Sequence, residues 1–145
     1  MSKYPPKIID SAFRHALKRG AIICTVWEYE IISKPKFFIT LNKDLSLDVI
    51  YFFPTTSKID WFNKHPKHES DIIRIPPKEI SCFYLYTIID CRQECYLAKS
   101  KLKKRFQEGE LEFKEYLPNS YLRKLDEVIK NSSLLSPNIK KIICP

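Results

Sequence analysis

Lysines and hydroxyls placed at the ends of two consecutive apolar runs carry the most suggestive chemistry in this sequence. Lys34 and Lys36 flank Pro35 where one strand-like run opens, and Thr55, Thr56 and Ser57 close the next, with Lys58 directly after. In a meander of consecutive strands these two ends can lie side by side, and cations facing hydroxyls make a phosphate-sized site. A second constellation, Trp61, His65 and His68, occupies the polar stretch that follows. Histidine titrates near neutrality and can act as acid or base, and an indole beside it offers a face on which an RNA base can stack. The plainer reading of each is also open: a solvated lysine at the head of a strand, a turn hydroxyl satisfied by backbone, and two histidines in water.

The best-marked enzyme motifs are missing. There is no Gly-rich phosphate loop, nucleophile elbow, HExxH helix or glycosidase-like carboxylate pair. The five cysteines, Cys24, Cys82, Cys91, Cys95 and Cys144, are odd in number, and several lie in apolar runs where a reduced thiol packs as a small hydrophobe. A C-x3-C pair, Cys91 and Cys95, with His65 and His68 far upstream is a poor match to zinc-ligand spacing, so neither a metal nor a cofactor is expected. Reduced thiols, no apolar run near the roughly 18 residues that span a bilayer, and no signal-peptide core after Met1 to Pro6 together predict a soluble, cytoplasmic protein without a membrane partner. Lys and Arg number 25 against 17 for Asp and Glu, a net charge of +8 that favours polyanions, nucleic acid first and an acidic protein second. A regulatory or structural chain with surplus lysine is the third reading.

The elements that must position these residues follow from the punctuation of the chain. A length of 145 residues with 44% hydrophobic and 29% charged content fits one domain with a packed core. Only two glycines occur, Gly20 and Gly109, against ten prolines, so most turns are read from Pro, Asn, Asp and Ser. Residues 1–19 are read as an N-terminal helical extension, the helix starting at an Asp10 cap and carrying Phe13 and Leu17 on one face. Residues 20–90 are read as the core of a small barrel or sandwich, not an alternating parallel sheet. Its strands are Ala21 to Ile32, Phe37 to Leu41, Val49 to Phe53 ended by Pro54, Ile72 to Ile75, and Cys82 to Ile89, with Lys58 to Ser70 an exposed loop. Trp27, Tyr29 and Tyr51 fall in strand patterns and suit a core or a dimer interface better than RNA stacking. Residues 91–145 are read as a basic segment, then C-terminal helices. Lys99, Lys101, Lys103, Lys104 and Arg105 suit a phosphate backbone, an acidic protein tail or simply solvent, on either a helix or a strand. Ser120 is placed to cap a helix with Leu122, Leu125, Val128 and Ile129 on one face, and Ser136-Pro137 to start another.

The order RGAIICTVWEY, KPKFFITLNKD, DVIYFFPTTSK, with SCFYLYTIIDC and KNSSLLSPNIKKII further on, resembles the MazF/PemK family of toxin ribonucleases from bacterial toxin–antitoxin pairs. The resemblance runs from Arg19 to Ile143 and implies an SH3-like antiparallel β-barrel with terminal α-helices. It also implies an endoribonuclease that cleaves single-stranded RNA without metal, a homodimer, and an acidic antitoxin protein as partner. In that family an arginine where one strand opens and a threonine where the next one ends act on the scissile phosphodiester. Lys36 falls on the arginine position and Thr55 on the threonine, with Thr56 beside it. Lys34, Ser57, Lys58, Trp61, His65 and His68 are then candidates for RNA contact. The family's arginine is a lysine here, a point charge in place of a planar fork, and Pro35 precedes it where the family has a proline following. The alternative is a barrel of the same kind that binds RNA or a protein without catalysis.

Overall fold

Two glycine-ended turns and a long central strand organise the chain, whose computed structural model describes residues 5–26 and 34–144. The first helix, α1 (Pro6–Leu17), begins four residues before the expected Asp10 cap. Pro6 is the reason, because its fixed φ suits the first helical position and its missing N–H costs nothing there. Ile9, Phe13, Ala16 and Leu17 form the buried face. Gly20 then adopts φ +84°, and a Cβ at that position would collide with Leu122. Its N–H donates to Thr40 O and its carbonyl accepts from Leu117 N, so the turn stitches together three parts of the chain.

Seven strands follow: β1 (Ala21–Val26), β2 (Pro35–Thr40), β3 (Val49–Thr56), β4 (Ile72–Ile75), β5 (Thr87–Asp90), β6 (Cys95–Ala98) and β7 (Leu111–Tyr116). Every pairing is antiparallel, in the order β4-β5-β3-β2-β1-β7, with β6 also on β3. The fold is therefore mainly antiparallel β with short helices, the class the sequence predicts. The expected closure into a barrel is not made among the described residues: β4 and β7 end the path without pairing to each other.

Strand β3 does not stop at Pro54. Leu41 N donates to Tyr51 O, so the odd residues of β3 bond towards β2 and the even ones away from it. On that outer side β3 pairs with β6 as far as Phe52–Cys95 and with β5 from Thr55–Ile89 onwards. Pro54 sits in the gap between these two partners, where its missing N–H removes no rung. Continuing to Thr56 is what carries the threonines onto a strand edge.

Alternation along the strands feeds two cores. Ile22, Ile39 and Phe53 pack with Tyr121, Leu125 and Ile129 of α4 (Asn119–Asn131) and with Ile143 of α5 (Pro137–Ile143). Their neighbours Ile23, Phe38 and Phe52 face the opposite way, against Phe13 and Leu17 of α1 and Leu102 of α3 (Lys99–Gln107). Helices thus cover both faces of the sheet, which is why its central strands are apolar throughout and not alternating. Ser136 caps α5 as expected, its side chain accepting from Ile139 N, whereas α4 starts after Pro118 and not from a Ser120 cap.

Three further expectations are corrected. Residues Lys58 to Ser70 are not an exposed loop but a short helix, α2 (Ile59–Asn63), and a 3-10 helix, Pro66–Asp71, because Phe62 is drawn into a small core with Ile72 and Ile88. The run from Cys82 to Ile89 is a strand only from Thr87. Before that, Lys78 N bonds Phe83 O and Phe83 N bonds Ile80 O, making a turn that plugs Ile80 and Phe83 into the core. Residues 91–145 are not only a basic segment and helices: β6 and, after Gly109 at φ +76°, β7 lie among them, because their short, weakly alternating sequences become strands by pairing with β3 and β1. Trp27 and Tyr29 lie outside the described residues. Tyr51 is half-buried on the sheet, its ring 6.0 Å from that of Tyr96. No helix is long and apolar enough to cross a membrane among the described residues.

Candidate phosphate-binding cleft

The opening of β2 and the end of β3 lie against each other. The β2–β3 register ends at Phe38–Pro54, Thr55 Oγ1 reaches Phe37 O just beyond it, and Lys36 and Thr56 lie two residues past that last pair, where both line the clefts. Lys36, Thr55 and Thr56 form the common wall of two adjoining clefts. The first, about 210 Å³, is completed by Ser57, Lys58, Thr87 and the aromatic walls Phe37 and Phe83, whose rings meet edge to face at 5.3 Å. The second, about 260 Å³, is completed by Phe38, Pro54, Asp90 and Cys95. Five of the residues singled out in the sequence, Lys36, Thr55, Thr56, Ser57 and Lys58, are thereby brought together. Lys34 is exposed one residue ahead of β2 and does not line either cleft.

The two threonines are not equivalent. Thr55 Oγ1 donates to Phe37 O at 3.0 Å, which spends its only hydrogen on backbone. Thr56 Oγ1 accepts from Lys58 N at 3.1 Å. That bond uses a lone pair and leaves the hydroxyl hydrogen for an incoming oxygen. Thr56 is therefore the hydroxyl better prepared to donate to an anion.

Sequence reasoning missed Asp90 and Arg92, which end β5 and begin the turn to β6. Asp90 Oδ1 accepts from Arg92 N at 3.1 Å and Nε at 2.9 Å, and Oδ2 accepts from Nη2 at 2.9 Å. This pairing raises the pKa of the Arg92 guanidinium further above its ordinary value. The same guanidinium lies over Trp61 at 4.7 Å and Phe62 at 5.0 Å. A continuous set of contacts thus runs from the Trp61 cluster through Arg92 to the carboxylate in the cleft. The one available signal was a polar D-x-R closing an apolar run.

Trp61 is 41% exposed, but its indole already has partners. His65 stacks on it at 4.0 Å and His68 at 5.6 Å. His65 Nδ1 lies 2.6 Å from Trp61 O, and His68 Nδ1 lies 3.9 Å from Asp71 Oδ2. These three residues form a side cluster on α2 and the 3-10 helix, outside the lining of the two clefts. The basic run is also largely committed to structure. Lys99 Nζ donates to Leu45 O, Lys103 pairs with Asp10, and Arg105, 9% exposed, donates to Val26 O at 2.6 Å and Thr25 Oγ1 at 3.3 Å. Lys101 and Lys104 remain on the exposed side of α3.

The five cysteines are all free thiols. Burial pushes the Cys82 and Cys95 thiols up to about 12 and the Cys91 thiol well above its ordinary value. Cys95 therefore lines the second cleft as a protonated, weakly nucleophilic group. Cys82, Cys91 and Cys95 are expected to resist iodoacetamide at pH 8 in the native protein and to label readily in urea. Peptide mass mapping after a short pulse checks this, and native labelling as fast as unfolded labelling would refute it. The linkage has a definite sign: the unfolded chain releases these protons near pH 9.0 while the folded one holds them to about 12. Stability is accordingly expected to decline between those two pH values.

Among the described residues no group of three His, Cys, Asp or Glu side chains is arranged to hold a metal ion. No protein-family model matches the chain, and no curated protein matches it in sequence.

Proposed function

We propose that the protein is a toxin-like endoribonuclease that cleaves single-stranded RNA without metal at the Lys36/Thr56 wall. The observation that carries this reading is the placement of a lysine of β2 and a hydroxyl of β3 with its hydrogen uncommitted in the wall shared by two clefts. In the reaction the ribose 2′-oxygen attacks the adjacent phosphorus, losing its proton, and the 5′-oxygen of the next nucleotide leaves, gaining one. The products are a 2′,3′-cyclic phosphate and a 5′-hydroxyl. Lys36 offsets negative charge building on the non-bridging oxygens, and Thr56 donates to one of them. Asp90 is the carboxylate lining the second of these clefts. Three of its acceptor positions are taken by Arg92, which leaves Oδ2 a lone pair for the 2′-hydroxyl proton. The resemblance to the MazF/PemK family supports the same reading, and a net charge of +8 suits both RNA and an acidic antitoxin on a homodimer.

The engagement of Asp90 by Arg92 favours a second reading, in which the cleft binds RNA and does not cut it. Incubation with mixed-sequence single-stranded RNA in EDTA separates the two. Cleavage yields fragments with 2′,3′-cyclic phosphate ends, absent in a Lys36→Ala preparation purified identically. Binding alone yields salt-sensitive retention of intact RNA, and intact RNA without retention overturns both.

A further inference from the structure

Next to the second cleft lies a larger open trough of about 560 Å³, lined by Pro54, Asp90, Arg92, Gln93, Glu94 and Cys95. It shares Pro54, Asp90 and Cys95 with the cleft that holds Lys36 and Thr56. A nucleotide whose phosphate sits at that wall has its sugar and base within one nucleoside's length of it, and the trough is the adjoining space large enough to receive them. The floor is rigidly made. Residues 91–94 form the tight turn from β5 to β6, and Asp90 braces it through the backbone and side chain of Arg92. Cys91, fully buried, ties it to the 3-10 helix by donating its N–H to Asp71 O at 3.0 Å.

The chemistry of the lining is selective. Asp90 is occupied by Arg92, but Glu94, half-buried beside it, makes no hydrogen bond or ion pair to another described residue. A carboxylate has acceptors only, two oxygens side by side. Guanine alone among the four bases places two donors side by side on its Watson–Crick edge, N1–H and N2–H. Adenine and cytosine offer one amino group beside a ring acceptor, and uracil one N–H between two carbonyls that a carboxylate repels. Arg92 lines the same trough, its guanidinium held over Trp61 and Phe62 and paired with Asp90.

Resting on the phosphate-cleft reading, the geometry points to this trough as a nucleobase site that selects guanine through Glu94. Titration calorimetry of the full chain with the 3′-monophosphates of guanosine, adenosine, cytidine and uridine tests it. The guanosine nucleotide is expected to bind at least about tenfold more tightly than the other three, the discrimination typical of one bidentate base contact. Glu94→Gln puts an amide donor against guanine's paired donors and is expected to level the four affinities. Glu94 lies in a surface turn outside the cores, so the variant folds, and circular dichroism confirms it. Equal affinities in the native protein, or a guanosine preference that survives Glu94→Gln, overturns the guanine site and leaves the cleft standing. Failure of all four nucleotides and of inorganic phosphate to bind overturns the cleft reading and the guanine site with it.

Discussion

Lys36→Ala is expected to lower the rate of RNA cleavage by about 100-fold, the usual effect of removing one group that stabilises a developing oxyanion, or about 2.7 kcal/mol of barrier. The expectation rests on position: Lys36 belongs, with Thr55 and Thr56, to the wall common to both clefts. Thr56→Ala is expected to lower the rate by at least about tenfold, because its hydroxyl has a hydrogen to give. Thr55→Ala is expected to cost less in rate, since that hydrogen already goes to Phe37 O. His68→Ala, in the side cluster, is expected to change little. Single-turnover cleavage of a fluorescent oligoribonucleotide measures all four. A Lys36→Ala enzyme within twofold of the parent, or His68→Ala as the most damaged variant, would remove the assignment.

The second large effect is on stability. Phe53→Ala is expected to reduce the free energy of unfolding by about 3–5 kcal/mol, the range for deleting a buried phenyl ring. Phe53 is completely buried, pairs with Ile39 on β2, and packs into the core that α4 and α5 close over the sheet. Rigid cores of this density relax only partly around a deleted ring, so a cavity remains beside Pro54 and the threonine edge. Urea unfolding should show a lower midpoint with an unchanged slope. A loss below about 1 kcal/mol would mean that the helices over this face are loosely docked.

The amino-acid sequence by itself determined the pieces with local causes. Strand-forming runs, the Ser136 cap of α5, the turn at Gly20 and the lysine and hydroxyl residues at two run ends are all legible because each depends on a few neighbours. Proximity of Lys36 to Thr55 and Thr56 was also foreseeable, since consecutive antiparallel strands bring the opening of one to the end of the other. Tertiary structure alone decided the rest. Pro54 ends a strand by local rules, yet here it falls in the one gap between β6 and β5 where its defect is harmless. The basic run at residues 99–105 looked like a polyanion surface, yet Asp10, Leu45 O and Val26 O, remote in sequence, consume much of it. Asp90 ends β5, Arg92 and Glu94 sit in the short turn after it with no motif, and all three come to line the trough beside the Lys36 cleft only because β5 pairs with the end of β3. Whether the sheet closes on itself was likewise undecided by its apolar runs, because a strand buried under helices on both faces and a strand in a small barrel require the same hydrophobic residues.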